Sequence, residues 1–570
     1  MTRYLATALL LVVAACSQTG DPAGDGSPVA TTGTETSGSP SASPGPSGSA
    51  GSTAPATGEL ACWASPAAGG EATIAFSDQT EALGLVQPLV GMYGHSAIWG
   101  DFNGDQRPDL YMGTFADRDA VDYQFRGAQG PSPDRLLMAG SGAFTLAGIP
   151  DMFTRTSGGA VADLDADGDL DLVLSRNFDD DTPSAPPSQV LRNDGGALVP
   201  VEGNGLPTQF GGRSVGVFDY DRDGLADLFI AEDRFSGGSG VLMRNMGGLV
   251  FEDATAAAGL PADLYGLGVA IADLTGDGNQ ELFVSGSNRL FVAVGDGTFR
   301  EADSTVFRWQ FFGEEDLIAG SSIADVNRDG LLDLAIGQHY NSTVDDGTRV
   351  PVRLYLNRGI DGSGNPVFED VTEAAGLIGL PTKAPHVELN DLDNDGWPDL
   401  YTTASAATGT RPAVFRHEGL QGDVPHFATP EGLGHPQYWV AGPTSDVDRD
   451  GRLDMFLVEW EPALPSLLLH NDSGSGHWLE VSVGPDHGFG LGWRVEVYRA
   501  SGAGDLAALL GAREITVTQG YSAGVAPVAH FGLGDETSAD VRLVPPGGGE
   551  ASIVAGVVAD QHIRFPSGCS

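Results

Sequence analysis

The sequence predicts an all-β fold, a seven-bladed propeller with calcium loops followed by a small β-sandwich or barrel, on three observations. An acidic loop recurs seven times, at spacings of 62, 56, 54, 52, 66 and 55 residues, the mark of a repeat architecture. Short apolar runs of strand length flank each copy, while helical periodicity is scarce. After the last copy the repeat gives way to alternating segments broken by Gly-rich turns.

The loop is clearest in DLDADGDLD. Asp163, Asp165, Asp167 and Asp171 occupy positions 1, 3, 5 and 9, and Gly168 follows the third, where the backbone must turn sharply. A hard cation such as Ca²⁺ takes six to eight oxygens, and this spacing wraps one ion. The equivalent ligand sets are Asp101, Asn103, Asp105 and Asp109; Asp219, Asp221, Asp223 and Asp227; Asp273, Thr275, Asp277 and Glu281; Asp325, Asn327, Asp329 and Asp333; Asp391, Asp393, Asp395 and Asp399; and Asp446, Asp448, Asp450 and Asp454. Up to seven Ca²⁺ are expected. The first loop has Gln106 where the others place Gly, and the copies at Asp101 and Asp273 are the weakest binders by their ligands.

Each loop joins two strands, as SVGVF before Asp219 and LFIAE after Asp227. No helix follows it, so an EF-hand does not fit and a metal-tipped hairpin does. Two further marks phase the repeat: a strand ending in an Asn or Gly turn (VLRNDG 190–195, LYLNRG 354–359, LLLHND 467–472), and an outer strand (FSDQTEALGL 76–85, FEDATAAAGL 251–260, FEDVTEAAGL 368–377). Four strands per unit make a propeller blade. The last unit lacks an outer strand of its own, and ATIAFSDQT (72–80) is the spare copy expected to close the ring.

These motifs resemble the FG-GAP/VCBS repeats of integrin-type β-propellers, over roughly 70–475. Beyond them, HWLEVSVG (477–484), GLGWRVEVY (490–498), REITVTQGY (513–521), HFGLG (530–534) and ADVRLV (539–544) read as strands. They resemble the ASPIC/UnbV domain that follows such propellers in the cartilage acidic protein family. Trp493 stands where that family has a small residue, and VPPGGGE (544–550) replaces its usual strand end.

The N-terminus carries Arg3, an apolar run from Leu5 to Ala15, and Cys16 after Val13-Ala14-Ala15. The run is short for a bilayer span. It resembles a bacterial-type lipoprotein signal, which implies that Cys16 is lipidated; a plain cleaved secretory signal is the alternative, and either exports the protein. The expected organisation is therefore 1–15 signal, 16–61 disordered Gly/Ser/Pro/Thr linker, 62–475 propeller and 476–570 the smaller domain. The lipid would hold the protein on the outer side of the cell membrane or envelope.

Cys62 and Cys569 then remain, and in an oxidising compartment they are expected to pair; two free thiols or a bond to another chain are the alternatives. The formal charge of −48 speaks against nucleic acid as partner and against an anionic membrane surface, leaving the lipid as the one membrane contact. Twenty-five carboxylates fall at loop ligand positions, so much of that charge has a local use.

His95 and His386 precede loops and His339 follows one, so a histidine ring at one face is conceivable, though packing or hydrogen bonding accounts for each. His530 is expected to be structural. No nucleophile elbow, HExxH, CxxC or phosphate-cradling loop is present. A non-enzymatic binding or adhesion protein, facing an extracellular protein or glycan, is the expected function; the second reading is an envelope enzyme acting on polysaccharide at the propeller axis.

Overall fold

In the computed structural model the described residues are 60–569, less 70–72, 178–186, 209, 234–237, 308–316, 340–351, 405–410 and 475. Seven sheets follow one another along the chain, each with the four antiparallel strands that the sequence phases; the first gains a fifth, parallel strand, and the sixth carries an extra hairpin, His417–Gln421 with Val424–Phe427, before its outer strand. In the third, Gly212–Phe218 runs into the acidic loop, Asp227–Glu232 returns, Val241–Asn245 follows, and Phe251–Asp253 forms the outer strand. The inner strands of the first six blades are Gly94–Gly100, Thr156–Ala162, Gly212–Phe218, Gly266–Ala272, Leu317–Ala324 and Val387–Asn390, and the seventh has the short Thr444–Ser445.

The first two strands of a blade are apolar along nearly their whole length because both faces are covered by neighbouring blades. Gly266–Ala272 and Glu281–Gly286 are buried at every position. Successive blades share apolar clusters: Phe218 and Phe229 pack with Ile271 and Leu282 between blades three and four, and Phe283 meets Phe307 and Tyr355 between four and five. Burial of one such ring contributes on the order of 2 kcal/mol or more.

The ring closes as the spare strand predicts. Phe76–Asp78 is the outer strand of blade seven, pairing Phe76 with Asn471, Ser77 with His470 and Asp78 with Leu469. Trp99 of blade one lies against Phe456 of blade seven and donates its indole N–H to the Pro443 carbonyl at 3.1 Å.

The smaller domain is a sandwich of two four-stranded sheets around one core of Val481, Val495, Val497, Phe531, Val541 and Ile563. Two expectations need correction. REITVTQGY is not one strand: Leu509–Glu514 ends it, and the following residues leave the sandwich. Ala61–Ala64, of which Ala61 was counted from sequence with the linker and the rest with the propeller, instead pairs with Gln561–Phe565 in the smaller domain's sheet. Ser552–Val558 and Gln561–Phe565 are strands the sequence reading did not mark.

Candidate functional site

Each acidic loop is shaped by its own backbone. In loop two the N–H groups of Asp167 and Gly168 both donate to Asp163 at 3.1 Å; in loop seven those of Asp450 and Gly451 donate to Asp446 at 3.1 and 2.8 Å. To aim them there, positions 4 and 6 both adopt left-handed φ in all seven loops, which explains the glycine at position 6. Position 4 makes the same excursion with Ala166, Arg222, Arg328, Asn394 and Arg449, and position 6 with Gln106, all of which bear a Cβ.

The structure brings positions 1, 3 and 9 together. One carboxylate oxygen each from Asp163, Asp165 and Asp171 lies within 4.8 Å of the others, and so do those of Asp219, Asp221 and Asp227, of Asp391, Asp393 and Asp399, and of Asp446, Asp448 and Asp454. Loops one, four and five place Asn103, Thr275 and Asn327 at position 3, so their carboxylates gather less densely. Position 5 turns back to the backbone: Asp105, Asp167, Asp223, Asp277, Asp329, Asp395 and Asp450 each accept the N–H two residues on. Position 9 bonds the blade internally, as Asp171 accepts Leu164 N–H at 3.0 Å and Asn193 N–H at 2.8 Å.

Burial, reinforced by neighbouring carboxylates, drives these acids up when no cation balances them: Asp109 and Asp171 to about 7, Asp227 and Asp454 to about 8, Glu281 to about 9. Asp333, Asp391 and Asp399 move well above the usual carboxylate range for the same reasons. Arg244 answers part of this charge, 2.6 Å from Asp221 and 3.0 Å from Asp223. An all-oxygen, multiply charged set of this kind suits a hard divalent cation.

Two sets of bonds around the ring were not foreseen. Position 4 reaches the next loop: Asn394 donates to the Gly451 carbonyl at 2.9 Å, Arg449 to Gln106 at 3.2 Å, and Arg328 to Gly396. In the other direction the turn asparagine of a blade donates to the previous loop, Asn193 to the Phe102 carbonyl, Asn245 to Leu164, Asn357 to Leu274 and Asn471 to Leu392, each at 2.8 Å. His417 takes this place in blade six, with Nε2 3.1 Å from the Val326 carbonyl and Nδ1 accepting Gly419 N–H at 2.9 Å. Burial holds it down at about 4, so it stays neutral.

The propeller axis is filled from the smaller domain. Beyond Glu514 the chain enters the ring, where Ala523–Gly524 pairs in parallel with Ala97 and Ile98 of blade one. Gly520 N–H donates to Ser321 of blade five at 2.8 Å, Ser522 N–H to Ser214 Oγ of blade three at 3.1 Å, and Tyr521 N–H to His386 Nδ1 of blade six at 3.1 Å. Tyr521 is 2 % exposed, packed among Leu267, Ala319 and Val440. His95 faces Tyr521 as well, so two of the three histidines do meet the axis, as packing and hydrogen-bonding groups; the side chain of His339 lies outside the described residues.

Below this plug, between the loop face and the sandwich, lies a cavity of about 130 Å³. Its wall includes Trp63, Arg513, Glu480, His530, His562 and Arg564. Burial opposes the charge of Glu480, yet His530 and His562 hold it down at about 2. His530 also bonds Asn394 Oδ1 at 2.9 Å, which gives it the structural role expected. The departing turn at 544–550 has a use too: Gly547 N–H donates to the Gly278 carbonyl of loop four at 2.7 Å. Cys62 and Cys569 are joined by a disulfide; Cys16 lies outside the described residues.

Four stretches, 163–230, 219–284, 325–402 and 391–457, match the model of an FG-GAP-like repeat, and 484–568 matches that of ASPIC and UnbV. Cartilage acidic protein 1 of Homo sapiens is 28 % identical over 371 residues, covering 60 % of this chain and 52 % of that protein. Its Mus musculus counterpart is likewise 28 % identical over 371 residues, covering 60 % and 53 %. The chain thus spans about half the length of the curated relatives it matches. Among solved structures, the Dos1 propeller is 12 % identical with a TM-score of 0.35, over 73 % of this chain and 96 % of that one. Rhamnogalacturonan lyase YesW gives the same identity and TM-score over 73 % and 75 %.

Proposed function

For a chain that carries FG-GAP-like repeats in its propeller and an ASPIC and UnbV domain behind them, and that resembles cartilage acidic protein 1, we propose an extracellular, calcium-rigidified binding or adhesion protein, tethered through lipid on Cys16. The observation that carries this reading is the plug. A propeller that hosts catalysis on its axis needs that axis open, whereas here Tyr521 and its neighbours occupy it. Ligand is left to the faces.

The face away from the acidic loops supports a protein or glycan. Around Tyr521 stand the half-buried rings of Tyr265, Tyr438 and Trp460, and the exposed Arg118 lies 4.2 Å over Tyr93 and 5.0 Å from the Trp460 ring. Aromatic rings beside a guanidinium suit sugar faces and protein hot spots. The protein acts without catalysis in this reading, and Ca²⁺ serves to hold like-charged carboxylates together.

A glycan array and a pull-down from envelope or matrix extracts, each with Ca²⁺ and with EDTA, test it. Calcium-dependent capture that is lost in Trp460→Ala is expected. Turnover of a polysaccharide by the purified protein, abolished by a substitution on the axis, would replace this reading with the enzymatic one.

A further inference from the structure

We propose that the cavity between the loop face and the sandwich binds a small hydroxylated organic acid, its carboxylate received by Arg513 and Arg564. The proposal goes beyond the surface-binding reading and stands or falls separately from it.

Arg513 is 8 % exposed and lines this cavity. Among the described residues its guanidinium makes one hydrogen bond, to the Leu389 carbonyl at 3.1 Å, and no ion pair within 4.0 Å. A buried guanidinium with five donors and a single neutral acceptor is costly unless an anion completes it. Arg564, on the same wall, has no hydrogen-bond partner for its Nε, and the indole N–H of Trp63 has none either.

The acids nearby are already engaged. Glu388 is held by His386 at 3.1 Å, Asn390 at 2.9 Å and Thr444 at 2.6 Å. Glu514 accepts from Asp273 N–H at 2.9 Å and from the Gln280 amide. Glu480 lies between His530 at 3.5 Å and His562 at 3.3 Å. Asp101 and Asp446 each accept two loop N–H groups. Asp391 and Asp325 attract Arg513 without reaching it. The surplus in the cavity is of donors, and planar guanidiniums receive carboxylates through paired bonds.

The rest of the wall sets the remainder of the ligand. Trp63 and Phe489 contribute aromatic rings to the wall, and Ser445 and Gln519 contribute polar side chains. About 130 Å³ admits one ring, not a chain of them.

The test is thermal shift and calorimetric titration of the full chain in Ca²⁺, using glucuronate, galacturonate, gluconate and quinate as probes, with glucose and sodium chloride at matched ionic strength as controls. At least one acid is expected to bind one to one and raise Tm, with glucose and salt inert. Arg564→Gln, at a half-buried position, is expected to leave the unliganded Tm unchanged and to weaken that binding tenfold or more, and Arg513→Gln is expected to weaken it likewise. The proposal is overturned if none of the four acids binds, if glucose binds equally, or if Arg564→Gln retains full affinity.

Discussion

Tyr521 of the smaller domain and His386 of the sixth blade, 135 residues apart, meet on the propeller axis through a 3.1 Å bond from backbone N–H to Nδ1. Because Nδ1 accepts there, the Nε2 proton is free to donate to Glu388, 3.1 Å away, and one histidine tautomer serves both contacts.

The plug admits a direct substitution test. Gly520 has φ +65°, and a Cβ there would lie 2.3 Å from the His386 ring. Gly520→Ala should therefore expel the segment, and Tyr521→Ala should cost about 3 to 5 kcal/mol, as for other fully buried rings. Denaturant unfolding and amide exchange over 515–525 measure both; native-like protection in Gly520→Ala would contradict the axial packing.

Metal removal should show a signed pH dependence. In the cation-free protein Asp109 and Asp171 titrate near 7 and Asp227 and Asp454 near 8, above their ordinary 3.8, so folding binds protons. That contribution is complete below about pH 4 and is lost as pH rises through 7 to 8. With EDTA, Tm at pH 8.5 should fall below Tm at pH 5.5 by about 5 °C or more, while in millimolar Ca²⁺ the difference should vanish. Calcium binding near pH 7 should release protons, measurable by titration in buffers of different ionisation enthalpy.

His417 shifts oppositely. Held at about 4 against an ordinary 6.5, it supports the fold fully above pH 6.5, and that support is lost as pH falls toward 4. His417→Asn installs the side chain used by blades two, three, five and seven and should remove about 2 kcal/mol of the acid sensitivity at pH 5. Equal slopes of stability against pH in both proteins would refute the assignment.

The closing strand and the disulfide can be removed singly. Deleting 73–80 should leave blade seven with an open edge and give an aggregating protein. Cys62→Ser should cost up to about 6 kcal/mol in the chain-entropy model, since the bond spans 507 residues. A non-reduced digest should contain the Cys62–Cys569 peptide, and two alkylatable thiols in the native protein would refute it.

Much of this was legible in the sequence, for reasons that separate local from distant causes. The loops and their flanking strands are encoded within nine residues and their neighbours, so the spacing of Asp219, Asp221, Asp223 and Asp227 carried them. The closing strand at Phe76 was found because it is a spare copy of a repeated pattern. The plug left no such trace: Gln519-Gly520-Tyr521 bonds to groups on several blades, and no periodicity records partners so scattered. The donors of Asn193 and Asn471 were read as turn formers, and their second role toward the preceding blade shows only in space. Arg513 looked like an ordinary strand residue until its lack of a carboxylate partner became visible.

The pairing of Ala61–Ala64 with Gln561–Phe565, and of Phe76–Asp78 with Leu467–Asn471, has a consequence for biosynthesis. Ribosomes add about 5 to 20 residues per second, so the strand made first waits about 20 to 100 seconds for the strand it pairs with. Blades two to five are each continuous in the chain and can form as they emerge. The ring, its axial filling and the sandwich cannot, because each needs residues translated hundreds of positions later. Native structure is thus gated by synthesis through Phe565, and every nascent chain that stops short of it carries an unpaired edge that must be kept from its neighbours.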